Sequence, residues 1–100
     1  MNEYLRMVIQ FSKDRDWIKH HDPRSLILAL TAELGELAEL FQWTKHSATR
    51  LSPSRRIAIE SEVADMFIYL FCLCASLDID PDQAVREKLA LNADRFPLGK

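Results

Sequence analysis

Three prolines, each directly preceded by an aspartate or a serine, divide this chain into segments. The pairs are Asp22-Pro23, Ser52-Pro53 and Asp80-Pro81. An Asp or Ser side chain at the start of a helix accepts a backbone N–H, and proline at the first helical position loses no hydrogen bond. Each pair therefore predicts the start of a helix. Gln83, three residues after Asp80, adds the pattern of a capping box.

A fourth helix is expected to begin near Asn2, with Leu5, Val8, Ile9 and Ser12 on one face. The predicted helices span residues 3–18, 23–44, 53–78 and 81–95. The chain has 100 residues and only two glycines, which leaves little material for the tight turns of a β fold. We therefore expect one all-α domain covering residues 1–100, built as a four-helix bundle.

The third predicted helix contains a run from Met66 to Leu77 that is apolar at nearly every position. A helix that is hydrophobic on all sides has to be buried on all sides, and a chain of 100 residues has few helices with which to cover it. The run is also too short to cross a bilayer. We therefore expect a homo-oligomer, a dimer or a tetramer, that completes the bundle.

Charge and cysteine content limit the classes of partner. The net charge is −2 and the 13 lysines and arginines are scattered, which argues against a surface that binds nucleic acid. Cys72 and Cys74 are two residues apart on a helix and point in different directions, so they favour reduced core cysteines. The N-terminal residues lack the pattern of a signal peptide. A soluble, cytoplasmic protein without membrane contact is expected.

Two pairs of carboxylates carry the strongest chemical signal. Glu33 and Glu36 are three residues apart on the second helix, and Glu62 and Asp65 repeat this spacing on the third. Residues three apart lie on neighbouring positions of a helix surface, so each pair can face one point. Glu60 lies on another face and is left out of the set. A pair of this kind is usually a solvated face, but two pairs flanked by apolar residues on neighbouring helices are stronger evidence.

Four converging carboxylates repel one another, and a bound cation offsets that repulsion. Oxygen ligands select hard ions, so Mg²⁺ is expected, with Mn²⁺ as a substitute. Di-iron bundles use Glu-x-x-His pairs, which are missing here, and iron is therefore disfavoured.

Such ions suit a phosphate ligand, because Mg²⁺ in proteins keeps coordination sites for water and phosphates. The chain has no Gly-rich loop of the Walker type. Lys88 and Arg95, with Asn92 between them on one face of the fourth helix, could bind phosphates. Trp43 and Tyr69 continue the carboxylate faces, and they suit either stacking on a nucleobase or plain core packing.

These residues resemble a known family. The strings AELGELAELFQW (32–43) and ESEVADMFIYL (60–70), with RDW (15–17), DPRSL (22–26) and K-x-x-x-N-x-x-R-F-P (88–97), are similar to the MazG-like all-α nucleotide pyrophosphohydrolases, in particular the dCTP pyrophosphatase-like subgroup. The resemblance covers nearly the whole chain in order.

The resemblance implies hydrolysis of a nucleoside triphosphate between the α and β phosphates, which gives the monophosphate and pyrophosphate and cleans nucleotide pools. It assigns the Mg²⁺ to the four motif carboxylates, one of which, Glu36 in our interpretation, would act as the base. The base and sugar would be enclosed by Trp17, Trp43 and Tyr69, and the phosphates met by Lys88, Asn92 and Arg95. It also implies dimers or dimer-of-dimers tetramers with sites shared between subunits.

The chain departs from the subgroup at one position, because a histidine of the first helix that helps to read the substrate is replaced here by Val8. A deoxycytidine nucleotide is the leading candidate by resemblance, and this departure leaves dATP or other dNTPs open. Two alternatives are a non-catalytic helical interaction module, which the apolar third helix would suit, and the same fold acting on another nucleotide such as phosphoribosyl-ATP.

Overall fold

The structure is a computed structural model that describes residues 1–42 and 51–99. These residues form four α-helices, and they include no β-strand: α1 (Asn2–Asp14), α2 (Pro23–Phe41), α3 (Pro53–Ser76) and α4 (Pro81–Arg95). A short 3-10 helix, Ile18–His20, lies between α1 and α2. The all-α prediction is confirmed. No helix of the described residues is long and apolar enough to span a lipid bilayer.

All three predicted proline starts are confirmed. The Ser25 amide donates to Asp22 Oδ1 at 2.9 Å, and the Arg55 amide donates to Ser52 Oγ at 3.3 Å. At α4 the Gln83 amide donates to Asp80 Oδ1 at 3.2 Å. The capping box is only half formed, because the Gln83 side chain donates to Glu87 instead of reaching back to the backbone N–H of Asp80.

The predicted ends of α1 and α3 are wrong, since both helices stop earlier. Asp16 and Asp78 adopt the left-handed backbone conformation, with φ of 55° and 56°. After α1, the Trp17 amide donates to the Ser12 carbonyl at 2.9 Å; after α3, the Ile79 amide donates to the Cys74 carbonyl at 2.8 Å. This is the Schellman arrangement, in which a left-handed residue satisfies the last carbonyls of a helix. Glycine is the usual signal for it, and both positions hold aspartate.

Helix α3 is the centre of the fold, because α2 and α1 both pack along it. Ser12 of α1 is buried, as are Leu26, Phe71 and Cys72. Arg55 ties α3 to α2, since its guanidinium donates to the Leu40 carbonyl near the end of α2. This contact satisfies one of the carbonyls that a helix end leaves open.

Helix α4 extends from the other three and makes only slight contact with them in the described part of the chain. Its start is held by Asp80, whose carboxylate forms a hydrogen bond with the Asn2 side chain and has a lowered pKa, mainly because it accepts from the Gln83 amide. Apolar side chains of α3 and α4 remain exposed, among them Phe67, Ile68 and Leu89. Helix α3 is therefore not covered on all sides by residues 1–42 and 51–99.

Candidate metal and nucleotide site

The two carboxylate pairs meet where α2 packs against α3. One carboxylate oxygen from each of Glu33, Glu62 and Asp65 lies within 4.8 Å of the others, and all three side chains are half-buried. Glu36 is exposed and lies outside this cluster of three, although its carboxyl reaches that of Glu62. The structure therefore brings three of the four predicted ligands together and places the fourth at the edge.

The cluster contains buried carboxylate oxygens that receive no hydrogen bond from the described part of the chain. Glu33 Oε2 and Glu62 Oε2 are buried and have no hydrogen-bond donor. The shared hydrogen bond with Glu33, then burial and the approach of Glu36, raise the pKa of Glu62 to about 7. Buried oxygens without donors are costly unless a proton or a cation satisfies them. The donor set fits a hard divalent cation, which would be held by these three residues and reached by Glu36.

A cavity of about 610 Å³ opens beside the cluster, and Asp65 belongs to both. Trp17 and Tyr69 line this cavity together with apolar residues of α1, among them Met7 and Phe11. The volume lies within the range of pockets for small molecules and cofactors, about 300–1,000 Å³. A largely apolar cavity with one carboxylate of the cluster, Asp65, in its wall suits a ligand that has an aromatic part and a part that binds cations.

The turn after α1 positions Trp17. Because Asp16 is left-handed, the chain reverses and the Trp17 amide is held by the Ser12 carbonyl. The Trp17 ring then meets Phe11 edge to face, with centroids 5.5 Å apart, and Arg15 lies 3.5 Å above the Phe11 ring. The sequence predicted Trp17 within a helix; the structure places it just beyond the helix, where its ring reaches the cavity.

Tyr69 connects the cavity to the carboxylates. Burial, followed by the negative charges of Glu33 and Asp65, raises the pKa of its phenol. The phenol therefore keeps its proton at neutral pH and can donate a hydrogen bond.

The remaining predicted contacts stand apart. Lys88, Asn92 and Arg95 lie on α4, and none of them lines the cavity. Trp43 lies outside the described residues. Sequence reasoning gave His21 no place in the site, and the structure places it half-buried in the cavity wall. Ser12 was predicted on the packed face of α1, but its place in the cavity wall was not. No spacing signal could have found His21, because its place depends on the path of the turn. Ser12 follows the helical spacing of Tyr4 and Val8, which line the same wall.

Comparisons with known proteins identify the family of the chain. Residues 28–100 match the model of the MazG-like family. The chain is 41% identical over 101 residues to dCTP pyrophosphatase 1 of Mus musculus, with 98% of the chain and 59% of the mouse protein covered. It is 40% identical over 100 residues to dCTP pyrophosphatase 1 of Homo sapiens, with 97% of the chain and 59% of the human protein covered. The chain thus spans less than two thirds of the length of these relatives.

Among solved structures, a pyrophosphatase from Archaeoglobus fulgidus superposes with a TM-score of 0.83 and 36% identity. The superposition covers 97% of this chain and 92% of the archaeal chain. The family match over residues 28–100, the identity to curated relatives and the shared fold agree with one another. The chain belongs to the MazG-like family.

Proposed function

We propose that the protein is a Mg²⁺-dependent nucleoside triphosphate pyrophosphohydrolase that converts a dNTP, with dCTP as the leading candidate, to the dNMP and pyrophosphate. The observation that carries this proposal is the junction of cluster and cavity at Asp65. The cluster has three carboxylates, two of which have unsatisfied buried oxygens, and it adjoins a pocket walled by Trp17 and Tyr69. The dCTP pyrophosphatase 1 relatives support the substrate class.

The chain's own residues account for binding and proton movement. Glu33, Glu62 and Asp65 would hold Mg²⁺, which when bound neutralises charge on the phosphates. A water oxygen attacks the α-phosphorus, the bond from that phosphorus to the bridging oxygen breaks, and pyrophosphate leaves. Glu36, exposed at the edge of the cluster, takes the proton from the water. Trp17 and Tyr69 hold the nucleoside, and Trp43 is proposed to join them.

Helix α4 enters this proposal through other copies of the chain. Lys88, Asn92 and Arg95 are proposed to contact phosphates, and they do not line the cavity of their own chain. Together with the exposed apolar residues of α3, this favours a homo-oligomer in which α4 of one subunit completes the site of another. The cytoplasmic location expected from the reduced cysteines stays a prediction.

The test is a panel of dNTPs with Mg²⁺, in which pyrophosphate and dNMP are measured. We expect Asp65→Asn and Glu36→Gln each to lower turnover by about 100-fold, while Glu60→Gln, an exposed carboxylate of α3 outside the cluster, leaves it unchanged. Release of orthophosphate in place of pyrophosphate would refute the proposed reaction. A melting temperature that responds to neither Mg²⁺ nor dNTP would instead support the non-catalytic interaction module. Including phosphoribosyl-ATP in the panel tests the other substrate.

A further inference from the structure

The cavity has an inner end that the carboxylates do not occupy. A second cavity of about 220 Å³ adjoins it, and the two share four lining residues: Val8, Ser12, His21 and Cys72. Asp65 and Tyr69 line only the larger cavity. The shared residues therefore mark the part of the site that lies between the carboxylate region and the small apolar pocket.

Ser12 is a buried polar residue in this wall, only 4% exposed. Its hydroxyl contacts the thiol of Cys72, whose pKa is raised by burial, so the thiol is neutral. Its carbonyl accepts from the Trp17 amide, which fixes the backbone of Ser12 beside the aromatic wall. A serine hydroxyl has one donor and two acceptor positions, so contact with one thiol leaves hydrogen-bonding capacity for a ligand.

His21 is the second polar group of this wall. It follows the 3-10 helix, where its amide donates to the Ile18 carbonyl at 3.0 Å, and its side chain is half-buried. Its imidazole makes no hydrogen bond to the described part of the chain. The two ring nitrogens can each donate or accept, depending on the tautomer.

A nucleotide has one orientation that uses all of these features. Its phosphates belong beside Glu33, Glu62 and Asp65, where a cation would hold them. The base then extends along Trp17 toward the inner end. The edge of a base carries donors and acceptors that lose free energy when they are buried without partners. Val8 offers no polar group there, whereas Ser12 and His21 do.

We propose that Ser12 and His21 together read the hydrogen-bonding edge of the nucleobase and so determine the base preference of the site. This inference rests on the proposed function, because it assigns the nucleoside end of the same site. The two residues are specificity-determining and take no part in the cleavage at the α-phosphorus.

The test compares Ser12→Ala and His21→Phe with wild type and with His20→Phe, a control at the adjacent exposed histidine, which lines neither cavity. Each protein is assayed with the four dNTPs, with the dCTP analogue that lacks the 4-amino group, and with 2-deoxyribose 5-triphosphate, which has no base. Both kcat/KM and the calorimetric Kd are measured, and the melting temperature reports folding.

We expect wild type to act on one dNTP with a higher kcat/KM than on the other three. Either substitution should reduce this ratio of kcat/KM values by about tenfold, the usual effect of one lost hydrogen bond. Binding of the base-free triphosphate should not change. The His20→Phe control should behave as wild type.

An unchanged base preference in both variants, a wild type without preference, or an equal loss with the base-free triphosphate would overturn the inference. These outcomes are distinct from failure of the proposed function, in which wild type releases no pyrophosphate from any dNTP. If wild type shows no turnover, the Kd values for the dNTPs and for the base-free triphosphate still measure the base preference of the site.

Discussion

At the scale of single residues, the site depends on the protonation of one carboxyl. The hydrogen bond that Glu62 shares with Glu33, then burial and the approach of Glu36, raise its pKa from 4.5 to about 7. Below pH 4.5 the carboxyl is protonated in both the folded and the unfolded chain. Between pH 4.5 and about 7 the unfolded chain releases the proton while the folded chain keeps it. The free energy of unfolding therefore falls as the pH rises through this window. Above about pH 7 the contribution of Glu62 no longer changes with pH.

We predict that the metal-free protein melts at a lower temperature at pH 7.5 than at pH 5, as measured in EDTA. Glu62→Gln should flatten this dependence, whereas Glu60→Gln should leave it intact. Mg²⁺ should raise the melting temperature more at pH 7.5 than at pH 5, since a cation competes with the proton. A metal-free protein that becomes more stable from pH 5 to 7.5 would contradict the assignment. The carboxylates of Asp22 and Asp80 have lowered pKa values, so their effect appears at more acid pH.

At the scale of helices, the three proline starts and the end of α4 could be predicted, whereas the ends of α1 and α3 could not. Asp22, Ser52 and Asp80 cap their helices through local hydrogen bonds that the dipeptide itself encodes. The ends at Asp16 and Asp78 depend on a left-handed backbone conformation. Aspartate tolerates this conformation, but its presence in a sequence does not predict it. The carboxylate spacing predicted that Glu33, Glu62 and Asp65 lie close together, and the structure places them so, because this proximity follows from helix geometry; their role as metal ligands stays a prediction. The exposure of Glu36 could not be predicted, since it depends on how α2 sits on α3.

The left-handed residue after α3 leads to a stability prediction. A non-glycine residue in this conformation costs roughly 1–2 kcal/mol, and glycine removes most of that cost. Asp78→Gly should therefore raise the free energy of unfolding, by up to about 1 kcal/mol, and Asp78→Val should lower it. Ala90→Gly, inside α4, should lower it by about 1 kcal/mol. Urea denaturation at one fixed protein concentration measures all three. A destabilised Asp78→Gly protein would show that the aspartate side chain itself stabilises the turn.

At the scale of the whole molecule, the single chain is more extended than a compact domain. Its radius of gyration is 16.5 Å, against about 13 Å expected for 100 residues. Its accessible surface is 8154 Å², against about 5,800 Å² expected for a compact monomer of this mass. Helix α4 contributes to both large values, because it packs only slightly against the other described helices and exposes Leu89 at 62%. Phe67 and Ile68 of α3 are exposed by nearly half. Because monomers rarely expose so much contiguous apolar surface, we expect another chain to cover it.

We predict that the mass measured by sedimentation is at least twice the 11.6 kDa of one chain. The assembly should depend on the apolar face of α4. Leu89 shares this face with Val85 and Phe96, so Leu89→Lys would bury a charge in the contact and should yield monomers. Ala90→Lys adds the same charge one residue further, on the face of Gln83 and Glu87, and should leave the assembly unchanged.

Because Lys88, Asn92 and Arg95 share α4 with Leu89, loss of the assembly should also abolish turnover while the cavity of each chain still binds nucleoside monophosphate. Sedimentation, the pyrophosphate assay and monophosphate calorimetry on the same two variants decide this. A monomeric Leu89→Lys protein with wild-type turnover would show that each chain carries a complete site. In that case either α4 folds back to contact the phosphates bound to its own chain, or Lys88, Asn92 and Arg95 take no part in turnover, and Lys88→Ala in the same monomer separates the two.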